Sequence, residues 1–268
     1  MLGYVFALLV GLSLGALGGG GSILTVPIFV YVMGFPAKQA IAMSLPVVGA
    51  TSLAGAIGHW RAGNFDLRAA LTFGALAMIG ARLGAALASR LSGTAQLGLL
   101  GLVMVVAAVL MLRRRETEDT GVSPSNRVHA ATRTAAIAVV GLGVGVLTGL
   151  VGIGGGFLFV PALVLLGRLN VKVAIGTSLF VIAASTAAGY LGYRGQVQVP
   201  WSVVATFTAV ALIGLLTGTR LVARLSSQAL RRLFAYFLIL MAAFILYQNR
   251  GILTDPAGTL RPTSSGTR

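Results

Sequence analysis

The chain has 268 residues, 57% hydrophobic and only 9% charged, with a mean hydropathy of +0.94. Soluble domains carry about 25% charged residues, so this composition excludes a globule covered by water. Its 37 glycines lack a triplet period, which excludes collagen, and its apolar content excludes disorder. With 20 Lys+Arg against 5 Asp+Glu, the net charge is +15. The bases fall between apolar stretches rather than along one face, so they read as topogenic charge beside lipid headgroups, not as a nucleic-acid surface.

A span needs about 20 apolar residues. Apolar segments run near 3–33, 38–58, 67–90, 96–112, 134–166, 172–193, 201–223 and 229–247. The first has no basic leader before it and reads as a membrane segment rather than a cleaved signal. Lys38 and Lys172 stand where second and sixth segments begin, as interfacial flanks. Trp60, Trp201 and Tyr247 fall at segment ends, the place of an aromatic belt. Residues 113–133 hold an arginine triplet, three acids and a Ser-Pro-Ser-Asn stretch, the pattern of a solvated loop between two halves. From Arg250 onward no period survives, and residues 250–268 read as a disordered tail.

The halves on either side of that loop repeat each other. Gly18-Gly19-Gly20-Gly21-Ser22, followed by Val26-Pro27, aligns with Gly152-Ile153-Gly154-Gly155-Gly156, followed by Val160-Pro161, at an offset of 134. The same offset pairs Lys38, Ser44 and Gly55 with Lys172, Ser178 and Gly189. After small gaps, Gly80-x-Arg82-Leu83 matches Gly218-x-Arg220-Leu221. The expected architecture is therefore all-α and polytopic, with one repeat over 1–112, a cytoplasmic linker over 113–133 and a second repeat over 134–249. Each repeat has a glycine-broken first segment and three transmembrane helices.

Each glycine costs about 1 kcal/mol relative to alanine inside a helix. Residues 18–22 and 152–156 therefore read as unwound joints, each opening a half-helix that ends near Met33 or Arg168. Freed backbone survives in a membrane only when buried in protein or lining a watery cavity. Broken helices at matching places in two repeats point to a transporter's binding site. Gly18, Gly20, Gly21, Ser22, Gly152, Gly154, Gly155 and Gly156 are thus candidate substrate-lining residues. Arg82 and Arg220 are candidate countercharges, the alternative being that each snorkels to an interface. Ser44, Thr177 and Ser178 are candidate hydrogen-bond donors to a ligand, or bond their own helices. Gly11/Gly15, Gly141/Gly145 and Gly214/Gly218 read as close-packing faces that also permit a homodimer.

All five carboxylates lie in expected loops or the tail, so no span offers a cation path and the favoured cargo is an anion. His59, at a segment end, reads as interfacial. With no cysteine there is no thiolate metal site or redox centre, and neither cofactor nor metal is expected. The string Gly11-Leu12-Ser13-Leu14-Gly15 matches a nucleophile elbow but lies in an apolar segment without strand–turn–helix context, so no enzyme is indicated. An anion channel and a non-transporting scaffold remain as other readings.

Charge also bears on topology. If the broken segments cross once, Lys and Arg divide 11 to 9 between the two sides. If each enters and leaves on one side, the repeats are inverted and the division becomes 13 to 7. The positive-inside rule prefers the second, with the linker cytoplasmic and both termini outside.

The strongest motif, Gly149-x-x-Gly152-x-Gly154-Gly155-Gly156-x-x-x-Val160-Pro161, has a first-half counterpart that differs only by Ser22 for the last glycine. On these motifs the chain resembles, over roughly 3–247, the TauE/SafE family of sulfite exporters and sulfonate permeases. The resemblance implies a multi-pass protein of the bacterial inner membrane that moves sulfite, sulfonates or related oxyanions.

Overall fold

The computed structural model describes residues 2–88, 93–113, 127–151, 156–167, 169–193 and 198–248. These form ten α-helices and, among the described residues, no strand. Helix α1 (Leu2–Leu17) is followed by a break at Gly18-Gly19, α2 (Gly20–Pro27) and a π-helical turn over Ile28–Val32. Then come α3 (Ala37–Arg61), α4 (Leu67–Ala88) and α5 (Gly93–Arg113). The second half has α6 (Arg127–Val151), a 3-10 turn over Gly156–Leu158, α7 (Phe159–Leu165), α8 (Val171–Tyr193), α9 (Trp201–Arg224) and α10 (Ser227–Gln248).

Five helices are long and apolar enough to cross a membrane: Lys38–Arg61, Leu67–Gly84, Val171–Tyr190, Trp201–Leu221 and Ser227–Ile245. The chain is a multi-pass membrane protein. Its outer faces are apolar, with Leu71, Ile79 and Leu83 of α4, Ile213 and Leu216 of α9 and Leu240 of α10 exposed. Such a surface would aggregate in water and matches hydrocarbon.

The first broken segment turns back on itself. Gly3 faces the Met33 side chain, and Gly21 lies against the Val10 carbonyl and Leu14. Sixteen residues of α1 make about 24 Å, short of a hydrocarbon core of about 30 Å. The segment therefore ends where it began. Only Gly18 needs a left-handed backbone, at φ +69°, so the break is narrower than residues 18–22. Gly20-Gly21-Ser22 wind straight into α2, so their carbonyls enter helical bonding while the first N–H groups of the helix are left without intrahelical partners.

The other helices pair across the halves. α1 runs parallel to α9, with Gly11 on the Ala211 carbonyl and Gly15 on Leu215 and Thr219. α4 runs parallel to α6, with Gly141 on Phe73 and Gly145 on Ala77. Between them α3 and α8 cross antiparallel, Gly189 meeting Leu45, Gly49 meeting Thr186, Gly55 meeting Leu179 and Gly176 meeting His59. Without a hydrophobic drive in lipid, such small residues let backbones approach and gain dispersion contact. α5 packs on α10.

Caps mark several helix starts. Asp66 Oδ1 accepts from Ala69 N at 3.0 Å, Asn170 Oδ1 from Lys172 N at 3.0 Å, and Ser226 Oγ from Ala229 N at 3.2 Å. Lys38 and Lys172 stand at the starts of α3 and α8, and Trp60, Trp201 and Tyr247 are exposed near helix ends. Of the residues 113–133 expected as a loop, helix covers Arg113 and Arg127–Arg133, and 114–126 lie outside the described residues. The polar first turns of α6 extend its apolar stretch, Ile137–Leu150, rather than breaking from it. The tail from 250 lies outside the described residues.

Candidate functional site

The two broken segments meet backbone to backbone. A methyl group on Gly19 would fall 2.7 Å from the Gly156 carbonyl oxygen and 2.8 Å from Phe157 Cα. No side chain fits at Gly19, which is a physical reason for glycine there. Gly18 lies against Ile175 of α8, and Gly156 against Ile182 two turns further along the same helix. Gly20 faces Ser13 Oγ and the Phe237 ring of α10. Gly18, Gly20, Gly21 and Gly156 are all buried. Gly152, Gly154 and Gly155 lie outside the described residues.

Aromatic contacts seat the two half-helices on partners from the opposite half. Phe29, in the π-helical turn, packs on Phe207 of α9 with ring centroids 4.7 Å apart. Phe159 of α7 meets Phe73 of α4 edge-on at 5.3 Å. Each half-helix is thereby fixed to the helix that pairs with the long arm of its own broken segment.

The hydroxyls are engaged with backbone. Ser22 Oγ donates to the Gly19 carbonyl at 2.7 Å, and Ser44 Oγ to Ile41 at 2.8 Å. Thr177 Oγ1 accepts from Asp66 N at 3.2 Å. Ser178 Oγ donates to its own helix at Ile175 and also reaches the Gly18 carbonyl at 3.2 Å. Ser178 therefore ties α8 to the first joint. Among the described residues, Ser44 has only its own helix as partner.

Arg82 and Arg220 are both exposed. Each lies two residues after a glycine that faces the packed partner, Gly80 against α6 and Gly218 against α1. Two residues turn a helix by about 200°, so each arginine sits on the outer face. This geometry matches snorkelling rather than a buried countercharge.

The structure also buries polar groups that the sequence did not mark as candidate site residues. Ser13 Oγ, Ser52 Oγ, both ring nitrogens of His59 and Arg231 Nη1 are buried without a hydrogen-bond partner among the described residues. His59, in the last turn of α3, is 5% exposed, and Arg231 is 3% exposed. A signal existed for Arg231: it shares the i, i+3, i+4, i+7 stripe of Phe234, Ala235 and Leu238, all buried. A cavity of about 360 Å³ lies along the α3–α8 crossing, lined by Leu45, Pro46, Leu53, Phe180, Thr186 and Tyr190 among others. Its walls are almost wholly apolar, a poor match for an oxyanion.

A family model described as Sulfite exporter TauE/SafE matches residues 4–245. The chain belongs to the TauE/SafE family. A probable membrane transporter protein of Xylella fastidiosa (strain 9a5c) is 34% identical over 244 residues, covering 90% of this chain and 92% of the relative. Probable membrane transporter protein YdhB of Bacillus subtilis (strain 168) is 28% identical, covering 72% of this chain and 78% of its own length. YunE of the same organism, also named a probable membrane transporter protein, is 26% identical over 92% of this chain and 99% of its own. No solved structure matches. This TauE/SafE protein is thus a membrane transporter, and its family and relatives are described by transport rather than by catalysis.

Proposed function

We propose that this TauE/SafE protein moves a small oxyanion, sulfite or an organosulfonate, across the bacterial inner membrane by alternating access at the glycine joints. The observation that carries the reading is the contact of Gly19 with Gly156 and Phe157, which brings two breaks in two halves to one place. Open backbone there offers N–H donors to an anion and no bulk to obstruct it. The lack of any carboxylate within the described spans supports an anion over a cation. Gly152, Gly154, Gly155 and the hydroxyls of Ser22, Thr177 and Ser178 complete the lining in this reading, and Ser44 is its first-half counterpart of Ser178. Arg82 and Arg220 act at the rims, where they draw anions from bulk water.

The halves are inverted repeats in this account. Three observations support that: the return of Met33 to Gly3, the antiparallel crossing of α3 and α8, and the exchange by which α1 pairs with α9 as α6 pairs with α4. The 13 to 7 charge division then makes the linker cytoplasmic. Alternating access follows if the two touching joints separate first toward one side and then toward the other.

Purified protein in liposomes tests the transport claim. Labelled sulfite and thiosulfate should enter saturably and faster when the same unlabelled anion is inside. Linear entry without that stimulation would mean a channel, and no entry of any anion a scaffold.

A further inference from the structure

Arg231 of α10 is 3% exposed, and its Nη1 has no partner among the described residues. An arginine side chain keeps its charge in proteins, so burial without a counterion is strongly unfavourable. The α10 span begins at Ser227, which puts Arg231 about 6 Å inside it. A charge held there calls for an anion.

The start of α10 stands beside the start of α8. Asn170 Nδ2 approaches Ser227 Oγ at 3.5 Å, and Asn170 Oδ1 accepts from Lys172 N at 3.0 Å. Arg231 follows Ser227 by four residues, so both lie on one face of α10. Helical side chains slant back over the preceding turn, toward the helix start. Arg231 therefore reaches toward the level of Ser227 and the first turn of α8.

That turn is itself positive. The 23-residue α8 leaves its first N–H groups without intrahelical partners, and its dipole favours negative charge at that end. Its first turn holds no acid and instead carries half-buried Lys172. Asp66, the one carboxylate among the described residues, caps α4 through Oδ1 and gives its own N–H to Thr177. Arg231, Lys172 and the helix end thus gather positive charge at one place.

The place is distinct from the glycine joints. α10 meets the first joint through the Phe237 ring, which lies against Gly20. Phe237 is six residues beyond Arg231, about 9 Å along the axis and about 120° around it.

We propose that Arg231 and the first turn of α8 bind a tetrahedral oxyanion of the phosphate type, either free in solution or carried on a phospholipid headgroup. A guanidinium takes two oxygens of such a group side by side, and helix N–H groups take the others. Basic pockets between membrane helices hold lipid headgroups in the same way. The 3.5 Å contact of Ser227 with Asn170 is a weak closure, so the start of α10 can part from α8 to admit the ligand. The site stands whether or not the joints carry the transported anion.

The test melts full-length protein, delipidated in dodecyl maltoside with gluconate as the only other anion, with inorganic phosphate or with phosphatidylglycerol. With neither probe, Arg231→Gln is expected to melt no lower than wild type, because it removes an unpaired buried charge. At about a hundredfold over its Kd, a probe should raise wild type and Arg232→Gln by about 5 °C more than Arg231→Gln. Binding at the joints is common to all three and cancels in that difference. A rise with phosphate means that the free anion suffices, and a rise with phosphatidylglycerol alone that a headgroup is required; either supports the site. Arg231→Met serves as the second neutral variant. Equal rises in wild type and the neutral variants, or no rise with either probe, overturn the proposal. So does a melt of both neutral variants well below wild type before any probe is added, since the protein would then already satisfy the guanidinium.

Discussion

Replacing Gly19 with alanine is expected to cut anion transport at least tenfold while Gly58→Ala leaves it unchanged. The added methyl on Gly19 has nowhere to go: it would press on the Gly156 carbonyl and on Phe157 Cα, both backbone atoms that no rotamer change can move. Overpacking of that kind costs about 1–3 kcal/mol. The cost falls on the state in which the joints touch, so its population drops by roughly tenfold or more. Gly58 sits inside α3 and has nothing within 4 Å of its added carbon. Alanine there gains helix propensity and strains nothing. Uptake rates in liposomes, normalised to folded protein, make the comparison. Full transport by Gly19→Ala would mean the joint contact is not part of the cycle.

The second large effect is all-or-none. The chain has no cysteine, so single cysteines can be placed at Ser125 in the linker and Ser264 in the tail without background. With inverted repeats the two positions lie on opposite sides of the membrane. A membrane-impermeant maleimide applied to intact cells should label Ser264→Cys and leave Ser125→Cys until the membrane is opened. Labelling of both from the same side contradicts inversion.

Much of this fold could be read from residues. The glycine break at Gly18, the end of the first half-helix at Met33 and the small-residue faces of α1, α6 and α9 follow from propensity and spacing. They hold because glycine has few roles inside an apolar helix: a break, or a close approach. The placement of side chains around each helix was less legible. In water an amphipathic stripe separates core from surface, but here both lipid and protein neighbours are apolar, so hydropathy carries little rotational information. Arg82 and Arg220 looked intramembrane by segment position and turned out exposed on outer faces. Arg231 and Arg232 are neighbours in sequence, yet one is buried and the other exposed. The enclosure of His59 and Ser52 was not legible because a lone polar residue in an apolar run has no period of its own. Only the α3–α8 crossing shows that they are enclosed.

The central claim, an oxyanion held at the glycine joints, is tested most directly by a melting-point panel on purified protein in detergent. The panel covers sulfite, sulfate, thiosulfate, sulfoacetate, taurine, phosphonoacetate and chloride. A ligand that binds only the folded state adds about 2.7 kcal/mol at a hundredfold excess over its Kd. The account predicts a concentration-dependent rise of roughly 5 °C with one or two sulfur oxyanions, lost in Gly19→Ala. No rise with any anion up to millimolar concentration, or an equal rise in Gly19→Ala, would contradict it.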